Sequence, residues 1–335
     1  MFQTKIAGVG HYVPENVVTN DDLSKLMDTN DAWITERTGI KERRWIDPKT
    51  DDTTASMGTK AARKAIKHAG ITSDEVDFII FATLSPDYYF PGPGVQVQEA
   101  LGISEIGALD VRNQCSGFVY ALSIADKFIK TGTYKNILVI GAENHSGGLD
   151  KTTRGRGVSV IFGDGAGAVI VQPTKEKNKG VLTTHLHSQG QHAKELALIG
   201  PSTSRWVDTI MEENDPEDTS YYPYMNGNFV FKHAVTRFIE VIHEALQATR
   251  LSVDDIDLLI PHQANLRISQ FIQQKMQLPD NKVFNNIQKY GNTTAASIPI
   301  ALSEAVEQNK LKEGDLLCLA AFGSGFTWGS TLIRW

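Results

Sequence analysis

The stretch Ile71-Thr72-Ser73-Asp74-Glu75-Val76-Asp77-Phe78-Ile79-Ile80 returns as Leu251-Ser252-Val253-Asp254-Asp255-Ile256-Asp257-Leu258-Leu259-Ile260, at an offset of 180 from Asp74 to Asp254. Each copy follows a pattern of helical periodicity, over 56–70 and 236–250, and leads into an apolar run read as a buried strand. A further helix, a further strand and a turn into a helix come next in both copies, and apolar strands over 136–141 and 316–321 close the halves. Strands alternating with helices imply parallel sheets covered by helices. A unit this long, repeated once, reads as a duplication of two similar α/β halves rather than a solenoid. The polar run Gln172-Pro173-Thr174-Lys175-Glu176-Lys177-Asn178-Lys179 marks the join, so the expected halves are 1–174 and 175–335.

The second half carries an interruption. Residues 193–225 are rich in Pro, Asp, Glu, Asn, Ser and Tyr, with Trp206, Tyr221, Tyr222 and Tyr224 interspersed. Such an insertion reads either as a long surface loop or as a flap over a substrate site.

Within this frame Cys115 stands out. It lies where the apolar strand 106–111 turns into a helix, with Phe118, Leu122, Ala125, Phe128 and Ile129 at helical spacing and Gly132 at the close. A cysteine on a first helical turn faces unpaired N–H groups and the positive end of the helix dipole, which favours thiolate. His262, in Pro261-His262-Gln263-Ala264-Asn265, ends the repeated strand of the second half. Asn292, in Gly291-Asn292-Thr293-Thr294, opens a turn equivalent to the one bearing Cys115, and a glycine-rich turn, Phe322-Gly323-Ser324-Gly325-Phe326, follows the last long strand. Taken singly, Cys115 is a small buried residue, His262 a strand-end histidine and Asn292 a helix cap. On equivalent turns of a duplicated sheet they gather at one strand edge, where ligands bind.

Composition bounds the class. The chain has 335 residues, 41% hydrophobic and 21% charged, as a soluble globular protein with a substantial core does. A net charge of −6 argues against a general nucleic-acid binder. Two cysteines, Cys115 and Cys318, make a disulfide framework or a cysteine-ligated zinc site improbable and fit a reducing cytoplasm, with Cys318 in the core of a strand. The first ten residues lack a secretory apolar region, and no apolar stretch approaches the ~20 residues of a membrane span. Gly163-Asp164-Gly165-Ala166-Gly167 imitates a dinucleotide loop, but it lies between strand-like runs at 158–162 and 168–171 with no helix following. The order Cys, His, Asn also occurs in papain-like proteases, whose Gly-x-Cys-Trp signature is absent. His185 and His187 alternate along an exposed strand and do not have metal-ligand spacing.

These residues resemble the β-ketoacyl-acyl-carrier-protein synthase III enzymes of the thiolase superfamily over essentially the whole chain. The resemblance is carried by Thr29-Asn30-Asp31-Ala32-Trp33-Ile34-Thr35-Glu36-Arg37-Thr38-Gly39-Ile40, Cys115-Ser116-Gly117-Phe118, Ile161-Phe162-Gly163-Asp164-Gly165-Ala166-Gly167, Pro261-His262-Gln263-Ala264-Asn265-Leu266-Arg267, Gly291-Asn292-Thr293 and Phe326-Thr327-Trp328-Gly329-Ser330. It implies an α/β, thiolase-like five-layer αβαβα fold built from two duplicated halves. It implies a decarboxylative condensation of an acyl-CoA primer with malonyl-acyl carrier protein, initiating fatty acid synthesis in the cytoplasm as a homodimer, with no cofactor, metal, nucleic acid or membrane partner.

By the same resemblance Cys115 is the nucleophile, the N–H groups of Cys115 and Ser324 form the oxyanion hole, and His262 and Asn292 stabilise the malonyl enolate. Trp33, Arg37 and Arg156 would hold the CoA adenine, Gly227 and Asn265 the pantetheine arm, and Lys232 and Arg267 the acidic carrier protein. Phe90 would reach across the dimer interface into the acyl pocket, which Gln114 also borders. Arg112-Asn113-Gln114 depart from the small residues usual before the nucleophile, and Pro91-Gly92-Pro93-Gly94 lie near the expected interface. Those departures keep open a specialised-metabolism condensing enzyme or an acyltransferase with another donor or acceptor. A non-catalytic partner subunit is the remaining alternative, although such homologues typically lack one of the three polar groups.

Overall fold

A computed structural model of the protein describes residues 2–203 and 217–335; Trp206 and the middle of the insertion lie outside the described residues. In the first half, β1 (Gln3–Tyr12) is followed by a small ladder of β2 (Val17–Thr19) and β3 (Glu42–Arg44). Then come β4 (Phe78–Ala82), β5 (Gly107–Val111), β6 (Ile137–Glu143) and β7 (Gly165–Thr174). The second half contains β8 (Gly180–Ser188), the short pair β9 (Leu196–Ala197) and β10 (Tyr224–Met225), then β11 (Leu258–Pro261), β12 (Leu316–Gly323) and β13 (Thr327–Arg334). The two large sheets run β1-β7-β6-β4-β5 and β8-β13-β12-β11, the same order of equivalent strands.

Both sheets are mixed, where parallel sheets were expected. β4 pairs in parallel with β5 and β6, and β11 with β12, but the strands beyond them are antiparallel. The cause is the connection. β12 returns to β13 through three residues, Ser324 to Phe326, too few for a helical crossover. β6 reaches β7 through short turns and the four-residue helix Arg156–Ser159, which takes up the start of the run 158–162 read as strand-like.

The duplication holds to the level of single hydrogen bonds. Thr72 and Glu75 cap one 3₁₀ turn reciprocally, and Ser252 and Asp255 cap its counterpart. Asp77 accepts from the N–H groups of Lys135 and Asn136, while Asp257 accepts from Leu316, so each carboxylate ties the start of one central strand to its neighbour. The symmetry breaks at β5. Its counterpart is reduced to a bridge between Leu259 and Val283, beside which Phe284 N–H bonds the Leu259 carbonyl. No residue of β5 is buried, whereas all of β11 is.

Five layers result. The helices Gly117–Thr131 and Ser297–Glu307 form the middle one, contributing Phe118, Leu122, Ile298 and Leu302 to a core shared by both sheets. Each of these large side chains stabilises the fold by roughly 1.5–3 kcal/mol on burial. The helix Thr54–Ala69 covers the first sheet outside, and Gly227–Thr249 with Leu266–Met276 covers the second. Gly132 and Gly70 close their helices in the left-handed conformation.

The middle helices enter through two equivalent 3₁₀ turns, Gln114–Ser116 and Thr294–Ala296, in which Gln114 (φ 45°) and Thr294 (φ 52°) occupy the same uncommon conformation. Each turn presses on the opposite sheet at a glycine. A Cβ on Gly323 would lie 2.5 Å from Cys115 Cβ, and one on Gly141 would lie 2.3 Å from the Ala295 carbonyl oxygen. Gly141→Ala is therefore expected to cost about 1–3 kcal/mol of stability, read as a lower melting temperature. Gly148→Ala, where a Cβ meets nothing within 4 Å, should leave the melt unchanged.

Candidate active site

Cys115 is buried at the centre of its turn, ahead of the helix that starts at Gly117. Ser116 Oγ ties the turn to the first residue of β13 through Thr327 Oγ1 at 2.8 Å, and also donates to the Asn113 carbonyl at 2.9 Å. The N–H groups of Cys115 and Ser324 lie near the thiol and favour its thiolate. Burial and the nearby Glu143 outweigh them and push the thiol up to about 12. The expected resting thiolate is thus not what the surroundings favour. The cysteine lies two residues before the helix, in a buried site where Glu143 is near and no cation among the described residues acts on the sulfur.

Glu143, at the end of β6, is fully buried and accepts from Thr83 Oγ1, Ser85 Oγ and the N–H groups of Leu84, Ser85 and Ala295. Burial raises its carboxyl to about 7 against those donors. The carboxyl bridges the two halves, because Ala295 belongs to the second.

His262 follows β11, its N–H bonded to the Ala320 carbonyl at 2.8 Å. Nδ1 lies 2.6 Å from Ser297 Oγ, and that oxygen also accepts from Gln263 N–H at 3.4 Å. This arrangement leaves the serine hydroxyl hydrogen for Nδ1 and assigns the ring proton to Nε2. Nε2 is buried with no partner. Burial, with His145 nearby, lowers the imidazole to about 3, so it is neutral at physiological pH. Asn292 is held by its main chain to Ile161 and Gly163, and its Oδ1 accepts from Thr294 N–H at 2.8 Å, which leaves Nδ2 as the side chain's free donor.

Cys115, His262 and Asn292 line one cavity of about 420 Å³, whose outer part is bordered by Trp33, Arg37 and Arg267. The guanidinium groups of Arg37 and Arg156 lie 4.6 and 5.4 Å from the centre of the Trp33 ring. Gly227, at the start of its helix, and Asn265 also line the cavity; the Asn265 amide caps the helix Leu266–Met276 and donates to the Arg37 carbonyl at 3.0 Å. Leu196 and Met225, from the described ends of the insertion, pair as strands and border the same space. Lys232 is exposed one position beyond the lining residue Phe231. Phe90, 81% exposed, and Gln114, beside the nucleophile, are outside this cavity's lining.

The family model for 3-oxoacyl-[acyl-carrier-protein (ACP)] synthase III matches residues 109–190, and that for its C-terminal part matches 246–335. The chain is 45% identical over 334 residues to the β-ketoacyl-[acyl-carrier-protein] synthase III of Rhodospirillum centenum, covering 98% of both chains. It is 45% identical to that of Aquifex aeolicus, covering 99% of both. The chain belongs to the β-ketoacyl-acyl-carrier-protein synthase III family.

The crystal structure of the Aquifex aeolicus synthase superposes with a TM-score of 0.90 at 44% identity, covering 99% of this chain and 100% of that one. The Thermus thermophilus enzyme gives 0.90 at 37% identity, with 99% of each covered. The thiolase-like fold and an acyl-transferring, condensing activity in fatty acid synthesis follow, and the specialised or non-catalytic alternatives are not favoured. No described helix is long and apolar enough to cross a membrane. No group of three or more His, Cys, Asp or Glu among the described residues is arranged to hold a metal.

Reading the sequence singled out the three residues on strand ends but missed Glu143, His145, Thr294 and Ser297, which surround them. Glu143 and His145 end and follow β6, the same strand edge that pointed to His262, so that signal was available. Alkylation of Cys115 in the resting synthase by iodoacetamide at pH 7.5 is expected to be more than about tenfold slower than that of free cysteine. Its rate should still be rising with pH above 9. Fast labelling that levels off near neutrality would show a thiolate at rest.

Proposed function

We propose that this synthase joins an acyl-CoA primer to malonyl-acyl carrier protein with loss of CO₂, using Cys115, His262 and Asn292. The observation that carries the reading is the pair of donors, His262 Nε2 and Asn292 Nδ2, held in the cavity that Cys115 also lines. In the first stage Cys115 Sγ attacks the acyl thioester carbonyl. The N–H groups of Cys115 and Ser324 stabilise the oxyanion. The carbon–sulfur bond to CoA breaks, and the thiol proton leaves with CoA as its free thiol. In the second stage malonyl thioester enters and loses CO₂. The electron pair of the broken carbon–carbon bond becomes an enolate whose oxygen accepts hydrogen bonds from His262 and Asn292. The enolate carbon attacks the acyl-cysteine, and Cys115 departs as thiolate and regains a proton.

The rim suits a CoA-type substrate: Trp33 offers a stacking face, Arg37 and Arg156 offer charge, and Gly227 and Asn265 flank the way in. Lys232 and Arg267 would meet the acidic carrier protein. The halves 1–174 and 175–335 then divide the labour, the first supplying the nucleophile and the second the enolate donors. A homodimer is part of this proposal. It is supported by the open edge β5 and by Tyr88, Tyr89 and Phe90, which expose apolar surface beside it; Phe90 and Gln114 would then shape the acyl end of the site.

Intact-protein mass spectrometry with a panel of acyl-CoAs tests the assignment. Cys115 should gain the acyl mass and lose it to malonyl-carrier protein as a β-ketoacyl product, and Cys115→Ala should gain nothing. His262→Ala and Asn292→Ala are expected to retain acylation while decarboxylation falls by about 10²–10³. Absence of any label on Cys115 from acyl-CoA would move the donor to an acyl-carrier protein. Because the neutral imidazole is the working form and protonates only near pH 3, malonyl decarboxylation should show no acid limb from His262 between pH 5 and 8. A half-loss near pH 6.5 would contradict that state.

A further inference from the structure

His145 is a buried imidazole that the reaction as described does not call on. Its main chain is pinned, with N–H donating to Asp164 Oδ1 at 2.7 Å. Asp164 in turn accepts from Ser146 N–H and, through Oδ2, from Ile46 N–H, so the histidine cannot shift without disturbing three segments. Its ring lies against Phe162, centroids 4.6 Å apart, and Phe162 is the residue that bridges to Asn292. Its Nε2 shares a hydrogen bond with Thr294 Oγ1 at 2.5 Å. Thr294 holds φ 52° and donates its N–H to Asn292 Oδ1 at 2.8 Å.

Two routes therefore run from one ring to Asn292. The ring face supports the main chain through Phe162, and Nε2 supports the side chain through Thr294. A threonine at positive φ is strained and needs its surroundings to hold it there. If Thr294 relaxes, its N–H leaves Asn292 Oδ1, and the amide is free to turn and present oxygen instead of nitrogen to the cavity. We infer that His145 is a positioning residue for Asn292, acting through Thr294, and that it serves the decarboxylating half of the reaction and not the acylating half. Among the described residues no hydrogen bond runs from His145 or Thr294 to Cys115, although the Gln114–Ser116 turn packs against the Thr294–Ala296 turn. The imidazole suits the task because burial lowers it to about 3, so it stays uncharged beside His262.

The inference rests on the assignment of Asn292 to the malonyl half, and the two can fail separately. Each half-reaction is measured alone in the full-length protein: acylation of Cys115 by acyl-CoA as mass gain, and malonyl-carrier-protein decarboxylation as CO₂ release. His145→Leu, which keeps volume and removes the hydrogen bond, is expected to lower decarboxylation kcat by tenfold or more, with acylation within twofold of the parent. His145→Gln, which can still reach Thr294 Oγ1, should recover most of the loss. Thr294→Val should match His145→Leu, and the double variant should be no worse than either, as expected when two residues act through one contact.

Equal loss in both half-reactions, independent multiplication of the two single effects, or an unchanged decarboxylation rate would each overturn the positioning role. If His145→Leu does not fold, the Gln and Val variants still decide, since the same split and the same rescue are read from them. A parent enzyme that acylates Cys115 but shows no sensitivity of decarboxylation to Asn292→Ala would instead overturn the role of Asn292.

Discussion

Two glycines let the halves of this protein touch where the chemistry is. At Gly323 the end of β12 meets the Cys115 turn, and at Gly141 the interior of β6 meets the Ala295 turn; at neither place is there room for a methyl group. Each sheet thus supports the turn that the other half supplies. That mutual contact fixes how far apart the sheets stand, and the middle helices, which begin from these turns, fill the space so defined. A nucleophile from one half and its polar partners from the other reach one cavity because the contact is so close.

The site so formed is buried, and its polar groups are ordered by shortage of partners. Glu143 collects donors from both halves, Ser297 feeds Nδ1 of His262, and Thr294 feeds Oδ1 of Asn292. What is left over is one ring N–H and one amide NH₂ with no acceptor among the described residues, the two donors that the proposed reaction uses. Burial keeps both histidines neutral and the thiol protonated. Protonation at rest also guards the sulfur, since thiolates are the form that oxidises. The N–H groups of Cys115 and Ser324 near the sulfur favour its thiolate but do not outweigh burial.

Much of this was legible in the sequence because duplication makes a chain its own reference. The offset between Asp74 and Asp254 places both 3₁₀ turns, both middle helices and both strand ends; at that offset Cys115 matches Ala295, and Asn292, expected on the equivalent turn, lies two residues ahead of that turn. Strand direction was not legible, because it depends on whether a connection such as Ser324 to Phe326 is long enough to cross over. The thiol's protonation escaped as well. Local reading sees a helix start at Cys115, whereas the burial that raises the thiol, and after it Glu143 from β6, arise from tertiary packing. The long helix begins at Gly227, nine residues before its expected start, because its first turns lie against the cavity and the insertion strands rather than showing a regular apolar stripe. Trp206 lies outside the described residues.

The one place where the duplication fails carries a consequence for how copies meet. β5 ends its sheet with unpaired backbone groups within reach of solvent, while the equivalent flank of the second sheet is closed by Val283 and Phe284. Two open flanks of like shape would let each chain hand on to the next, as a growing ribbon does. In the proposed homodimer, one such open flank would pair with its copy about a two-fold axis and leave no second flank of that kind to pair onward.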